Sequence, residues 1–230
     1  MLQEARQSLP RFLHYLGECM EYKSDQVKNK KSIALNSLRV RFVLEIETNS
    51  KKNKSILVVM KNPSQANEHQ SDKTVNNVIE NLHTDYRNIY IVNLYPYYST
   101  KAVGLLSCFE SEDIDVILEI NDKYIADYAD KASEFLIGWG TNTIGMKEKD
   151  YENRVKKVLG MLNSKRKPIY YVHCCKCENN PAGCGNNSLC GYRCKKKCHR
   201  NNGYDQKCGD VRFPMHLELW ENGKKQIKYR

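Results

Sequence analysis

Four short apolar runs alternate with segments of helical periodicity in this 230-residue chain, and they begin at Ile56, Ile89, Phe135 and Ile169. Unbroken apolar runs of this length are typical of strands buried on both faces of a parallel sheet. The intervening segments, near 72–82, 112–131 and 151–162, supply crossover helices for such a sheet. The order predicts an α/β fold with three αβα layers and a mostly parallel central sheet.

The flanking segments complete this arrangement. Residues 6–22 carry apolar side chains at helical spacing, so we expect a covering helix within an N-terminal helical segment, 1–37. Residues 38–46 alternate apolar with polar side chains, and the polar turn after them predicts an antiparallel hairpin with the Ile56 run. The predicted core is therefore 38–172 and 211–230, interrupted by a cysteine-rich insert at 173–210.

Each predicted core strand ends in a turn that carries polar or aromatic side chains. The turns are Asn62-Pro63-Ser64, Asn93–Tyr97, Gly138-Trp139-Gly140 and Phe213–His216. In open α/β sheets, ligands bind in the crevice beyond the carboxyl ends of the strands. We therefore expect the four turns to converge on one rim and to form a ligand site there.

The insert carries eight of the ten cysteines, namely Cys174, Cys175, Cys177, Cys184, Cys190, Cys194, Cys198 and Cys208. Thiolates at such short spacings bind tetrahedral zinc, and the segment has little apolar content with which to fold otherwise. We predict structural zinc, at one or two sites. An iron–sulfur cluster held by four cysteines is the alternative.

The net charge of +10 favours a polyanionic partner such as DNA, because Lys and Arg displace condensed counterions from phosphates. A merely solvated basic surface is the alternative. No run approaches the roughly 20 apolar residues of a membrane span, and the first residues lack the apolar segment of a signal peptide. We expect a cytoplasmic protein without a membrane partner, and nothing in the pattern indicates an oligomeric state.

These turns resemble a small prokaryotic family of unknown function whose signature is Asn-Pro-Ser-x-Ala. The matching residues are Met60–Ala66 with Asp72 and Thr74, Val92–Tyr97, Gly138–Gly140 and His216. The same order of turns is remotely similar to the uracil-DNA glycosylase superfamily. In that superfamily an Asn-Pro or Asp-Pro turn, a strand-end Asn, a Trp-Gly turn and a late His line a pocket for a flipped-out base.

The resemblance implies a glycosylase-like fold and a role for each matching residue. Asn62 would orient the attacking water, Asn93 would lie near the base, and His216 would hydrogen-bond the departing base. Because an amide is a poor proton acceptor, Asp72 is a candidate for the true base. The remaining substrate-binding candidates are Pro63, Ser64, Tyr95 and Tyr97. The implied activity is hydrolysis of the N-glycosidic bond of a modified or damaged base in DNA, and antiviral defence against foreign DNA is one setting for it.

Each residue also has a structural interpretation. Asn62 can satisfy backbone groups of its turn, Asp72 can cap a helix, and His216 can be a buried, hydrogen-bonded histidine. Tyr95 and Tyr97 can belong to the core. At the level of function, the alternatives are a non-catalytic, zinc-stabilised nucleic-acid-binding protein and a hydrolase of a nucleotide-like small molecule.

Overall fold

The computed structural model describes residues 20–98, 113–140, 146–173 and 225–228. These residues form one seven-stranded sheet and three helices. The strands are β1 (Val27–Leu35), β2 (Val40–Thr48), β3 (Ser55–Met60), β4 (Asn88–Asn93), β5 (Glu134–Ile137), β6 (Ile169–His173) and β7 (Lys225–Lys228). The helices are α1 (Lys73–Leu82), α2 (Ile114–Lys131) and α3 (Glu148–Ser164).

The strand order is β1-β2-β4-β3-β5-β6-β7. The four central strands, β4, β3, β5 and β6, are mutually parallel, and the outer strands pair antiparallel to their neighbours. β3 lies near the centre, and all six of its residues are buried. The sequence prediction of an α/β fold built on parallel strands is therefore confirmed.

The helices cover the two faces of the sheet. Val75, Val78, Ile79 and Leu82 of α1 pack with Ile56, Val58 and Met60 of β3 on one face. On the opposite face, α2 and α3 pack against Leu57 and Val59, the alternate residues of the same strand. Because successive strand side chains point to opposite faces, the single apolar run of β3 supplies both cores.

Two predictions about the flanks are wrong. The strand at 38–46 exists as β2, but it makes no hairpin with β3, because β4 lies between them and pairs with both. The segment 1–37 is not helical throughout, since its residues Val27–Leu35 form β1 at the sheet edge. The lysines of β1 are exposed there, as is common in edge strands, where charge opposes further strand pairing.

The remaining predictions for the flanks fall on other parts of the chain. Residues 1–19 and 174–224, which include most of the predicted first helix and the cysteine-rich insert, lie outside the described residues. Among the described helices, none combines the length and the apolar character needed to cross a bilayer.

Candidate functional site

Three of the four predicted turns meet at the carboxyl edge of the parallel strands. The ladder between β3 and β4 continues past both strands, since Leu94 N donates to Met60 O at 2.8 Å and Tyr95 N donates to Lys61 O at 2.9 Å. On the other side of β3, Gly138 N donates to Val59 O at 2.9 Å. The predicted convergence is confirmed for these three turns, and the fourth, 213–216, lies outside the described residues.

The connections make this edge a topological switch point. From β3 the chain runs through α1 to β4 on one side, and from β4 it runs through α2 to β5 on the other side of β3. Loops that leave adjacent strands in opposite directions open a crevice between them, and this is where ligands bind in open α/β sheets. The Asn62 turn, which follows β3, lies at this point.

The loop that begins with the Asn62 turn is clamped at Ala66. Asp72 Oδ2 accepts the Ala66 N–H at 2.8 Å, while Arg41 Nη1 donates to Ala66 O. Asp72 Oδ1 also accepts the Val75 N–H at 3.0 Å and so caps α1. The capping interpretation of Asp72 is confirmed, and both carboxylate oxygens are engaged by backbone N–H groups. Its predicted role as a base remains a prediction.

The turn itself is half-buried. Asn62 Nδ2 donates to Pro63 O at 3.2 Å, which is the kind of backbone contact that the structural interpretation of Asn62 expects. Pro63 is buried beneath the loop. The hydroxyl oxygen of Ser64 is also buried, and it has no hydrogen-bond partner among the described residues.

The second turn, at the end of β4, is held by helices α2 and α3. Asn121 Nδ2 donates to Asn93 O at 2.9 Å, and Arg154 Nε donates to Leu94 O at 2.8 Å. Asp122 fixes the arginine, with Oδ1 at 2.6 Å from Arg154 Nη1. Helix side chains therefore hold the backbone of this turn. In the sequence, Asn121 and Arg154 look like ordinary polar residues of amphipathic helices.

The side chain of Asn93 contrasts with its backbone. Asn93 is fully buried, and neither its Oδ1 nor its Nδ2 has a hydrogen-bond partner among the described residues. Ile89 and Ile91 of the same strand pack on the α1 face, so strand alternation places the Asn93 side chain on that face, beside Met60. A buried amide without partners is rare in native proteins and indicates a strained or ligand-binding position.

The third turn requires both a glycine and a tyrosine. Gly140 has a φ of 68°, a left-handed conformation that a residue with a Cβ adopts only with strain. Tyr151 of α3 donates its hydroxyl to Gly140 O at 2.9 Å, and Trp139 between the glycines is fully buried. Burial raises the pKa of Tyr151 well above its usual value, so the phenol stays protonated as a donor.

Arg41, which is not among the predicted site residues, lies at the same edge. In the β1–β2 ladder, Ile33 pairs with Val43 and Ala34 pairs with Arg41, so Phe42 is an extra residue. This β-bulge leaves Phe42 and Val43 on the α2 face and turns Arg41 towards α1 and Ala66. Bulges commonly redirect a side chain in this way near functional sites.

Arg41 is fully buried, and its Nε and Nη2 have no acceptor in hydrogen-bonding geometry among the described residues. Its guanidinium carbon lies 5.6 Å from the ring centroid of Tyr98. Desolvation lowers the pKa of Arg41, while Tyr98 and Asp72 oppose that shift. Arginine nevertheless remains protonated in proteins, so the carboxyl edge contains a buried positive charge.

The other predicted site residues divide into two groups. Tyr95 and Tyr97 are buried in the core on the α2 face, as their structural interpretation expects. His216 and the eight cysteines lie outside the described residues. In the part of the chain that is described, no three His, Cys, Asp or Glu side chains are grouped to hold a metal ion.

The strand order and connections define an open α/β protein with a topological switch point at the carboxyl edge of its parallel strands. The chain belongs to the family described as "Protein of unknown function (DUF1643)", whose model matches residues 41–183. The match spans Arg41 and all three described turns, and His216 lies beyond it. No curated protein and no solved structure is significantly similar to the chain.

Proposed function

We propose that this protein is a DNA glycosylase-like enzyme that holds a flipped-out base at the carboxyl edge and hydrolyses its N-glycosidic bond. The observation that carries the proposal is the fully buried Asn93 amide, whose donor and acceptor groups both lack partners among the described residues. An amide offers the paired donor and acceptor that the polar edge of a nucleobase complements. In this proposal a base supplies the bonds that the Asn93 side chain does not make with the described residues.

The neighbouring turn supports the chemistry. An N-glycosidic bond breaks through a cationic sugar, so the site needs a positioned water on one side and stabilisation of the departing base on the other. Asn62 follows β3 directly, and β3 pairs with the end of β4 through Met60 and Asn93. In this proposal Asn62 positions the water, Asn93 binds the base, and His216 stabilises the negative charge of the leaving base.

The structural part of the proposal concerns Asp72 and the insert. Asp72 keeps the Asn62 loop in place through its two backbone contacts. The eight cysteines of the insert provide enough thiolates for two tetrahedral zinc sites, which would stabilise a segment poor in apolar residues. Metal analysis in a non-chelating buffer tests this point, because less than one metal per chain would contradict it and iron with sulfide would indicate a cluster instead.

The decisive experiment incubates the purified protein with DNA that contains uracil, damaged bases or glucosylated bases, and detects abasic sites by alkaline strand cleavage. We expect base release from at least one DNA, reduced at least 100-fold in Asn62→Ala and Asn93→Ala. Asn88→Ala is the matched control, since Asn88 begins the strand that Asn93 ends. Circular dichroism verifies that each variant is folded.

A second function is favoured by the net charge of +10, which suits a protein that binds nucleic acid without catalysis. In that case the wild-type protein would release no base from any of these DNAs and would still bind them with an affinity that falls steeply with salt. Base release by the wild type that Asn62→Ala and Asn93→Ala leave intact would contradict the proposed site. Release from free nucleosides that DNA does not compete away would indicate a small-molecule hydrolase.

A further inference from the structure

The guanidinium of Arg41 is a second group at the carboxyl edge, besides the Asn93 amide, with polar atoms that are unpaired among the described residues. None of the ion pairs among the described residues involves Arg41. It donates to the carbonyl of Ala66 and interacts with Tyr98, and its Nε and Nη2 have no acceptor in hydrogen-bonding geometry among the described residues. Burying a guanidinium in this state is costly, since a buried charge is normally paired with an opposite charge.

Asp72 does not supply the missing acceptor. It is the carboxylate whose charge acts on Arg41, but its two oxygens accept the N–H groups of Ala66 and Val75. The two residues therefore hold Ala66 from opposite sides, with Arg41 on its carbonyl and Asp72 on its N–H. Among the described residues, no acceptor is placed to satisfy Nε and Nη2, the part of the guanidinium that faces away from Ala66. A bound anion would satisfy them.

The surrounding groups indicate the chemistry of that acceptor. Ser64 Oγ, two residues before Ala66, is buried without a partner among the described residues, and it can also donate a hydrogen bond. Asn93 lies at the end of β4, the strand next to β2, and points to the same face as Arg41. A site that combines a buried guanidinium with the donors of Ser64 and Asn93 suits an oxyanion rather than a neutral polar group.

We propose that Arg41, together with Ser64, forms an oxyanion subsite that binds a phosphate beside the pocket of Asn93. The phosphate can belong to the nucleotide whose base Asn93 holds, or it can be free inorganic phosphate. The subsite rests on the proposed function for its ligand class, a nucleotide, but its binding of phosphate requires no hydrolysis. The ring of Tyr98 lies over the guanidinium and is only half-buried, so Tyr98 is the side chain that we expect to move when the anion enters.

The test measures binding by titration calorimetry with deoxyuridine, its 5′-monophosphate and inorganic phosphate. We expect the wild-type protein to bind the monophosphate at least tenfold more tightly than the nucleoside. Arg41→Met should remove this preference, and Arg41→Lys should retain part of it. Arg39→Met is the matched control, because Arg39 is an exposed arginine two residues away.

Inorganic phosphate separates the two sources of the anion. Competition with the monophosphate, lost in Arg41→Met, indicates that the subsite accepts free phosphate. A nucleotide preference without such competition indicates that the phosphate must be attached to the nucleoside. Both results support the subsite.

Three results would overturn it: equal affinity of the wild type for nucleoside and monophosphate, no binding of the monophosphate at millimolar concentration, or a preference that survives in Arg41→Met. A fourth is a marked fall in the urea midpoint of ligand-free Arg41→Met, which would show that the charge serves the fold. We expect that midpoint to fall only slightly, because the lost hydrogen bond to Ala66 O is offset by the removal of a buried charge.

Base release from DNA tests the proposed glycosylase activity independently of the phosphate subsite. Phosphate preference without base release from any DNA would leave the subsite in place and reject the glycosylase. Base release without a phosphate preference would do the reverse.

Discussion

The buried polar side chains differ between the two edges of the sheet, the amino edge where the parallel strands begin and the carboxyl edge where they end. At the amino edge these side chains have protein partners: Thr48 Oγ1 donates to Tyr86 O at 2.6 Å, Ser55 Oγ donates to Lys131 O at 2.9 Å, and the Tyr86 hydroxyl donates to Glu134 at 2.5 Å. Each bond joins a strand end to a neighbouring loop, helix end or strand. The polar groups of this edge hold the fold together.

At the carboxyl edge, buried side chains hold the backbone of the turns but leave polar atoms of Arg41, Ser64 and Asn93 unpaired among the described residues. The same parallel strands form both edges, so the edges differ in the side chains that the strand ends carry. Unpaired buried groups cost free energy in the absence of a ligand. The comparison therefore favours a role in stability for the polar groups of the amino edge, and it agrees with the ligand site proposed for the carboxyl edge.

The largest effect is expected for Asp72, the carboxyl-edge residue with a structural role. Asp72→Ala removes the cap of α1 and leaves the buried N–H of Ala66 without its acceptor. We expect a loss of roughly 2 kcal/mol in the free energy of unfolding, from a cap worth about 1 kcal/mol and a buried N–H of similar cost. Urea denaturation measures it, and Asp72→Asn should lose less because its amide oxygen still accepts.

If Asp72→Ala were as stable as the wild type, the loop would not depend on this clamp. Asp72 would then be available for the chemistry that the sequence predicted for it.

The most direct challenge to the comparison is a pair of substitutions with opposite signs. Asn93→Leu replaces an unpaired amide by an apolar group of similar size, and we expect it to stabilise the protein by about 1 kcal/mol. Thr48→Val, at the amino edge, breaks the bond to Tyr86 O and should destabilise it by about 1 kcal/mol. Both are measured by urea unfolding, and equal losses in the two variants would remove the distinction between the edges.

Much of the core could be predicted because its signals are local. The apolar run of β3 and the stripe of α1 with its Asp72 cap each depend on neighbouring residues, and their bounds agree closely with the structure. The position of β4 between β2 and β3 could not be predicted in this way. The local sequence of a strand does not show which distant strand it pairs with. A hairpin of β2 and β3, which are neighbours in sequence, was therefore the simpler expectation.

The residues of the candidate site show the same difference between local signals and long-range contacts. Asn62 and Asn93 were found because strand-end turns are visible in the sequence. Arg41 was missed because its direction depends on a bulge against β1, although the adjacent apolar pair Phe42-Val43 interrupts the alternation of β2 and is a signal for one. Asn121 is buried only because a turn packs on its helix, a contact that no local pattern records.

A smaller effect is expected at the amino edge for Lys167, one of two lysines in the loop between α3 and β6. Lys167 Nζ donates to the carbonyls of Ala129, Asp130 and Ala132 at the end of α2, at 2.8, 2.8 and 2.7 Å. Lys167→Met should therefore cost about 1 kcal/mol, since free carbonyls at a helix end are stabilised by such a cation. Lys165→Met is the control, because its exposed ion pair with Asp130 should contribute little. Thermal melts of the two variants should separate clearly, and identical melts would show that the cap is not needed.

The smallest effect at neutral pH concerns Tyr151, whose hydroxyl holds the third turn of the carboxyl edge. Burial raises its pKa in the folded protein, whereas in the unfolded chain it titrates near the ordinary value of about 10. Its contribution is therefore fully present below pH 10 and is lost as the pH rises further, because the unfolded state releases a proton that the folded state retains. Tyr151→Phe should lose about 0.5–1.5 kcal/mol at pH 7, the value of one hydrogen bond.

The same variant should also show a shallower fall in stability between pH 10 and 11 than the wild type, as measured by urea unfolding at each pH. Tyr86→Phe offers the parallel test at the amino edge, since burial also raises the pKa of Tyr86. Both edges should respond to alkali in the same direction, because buried phenols serve the fold at either end of the strands. The two edges should differ only at side chains that have no protein partner among the described residues, such as Asn93. If Asn93→Leu bound ligand as well as the wild type, the polar groups of the carboxyl edge would serve the fold, as those of the amino edge do.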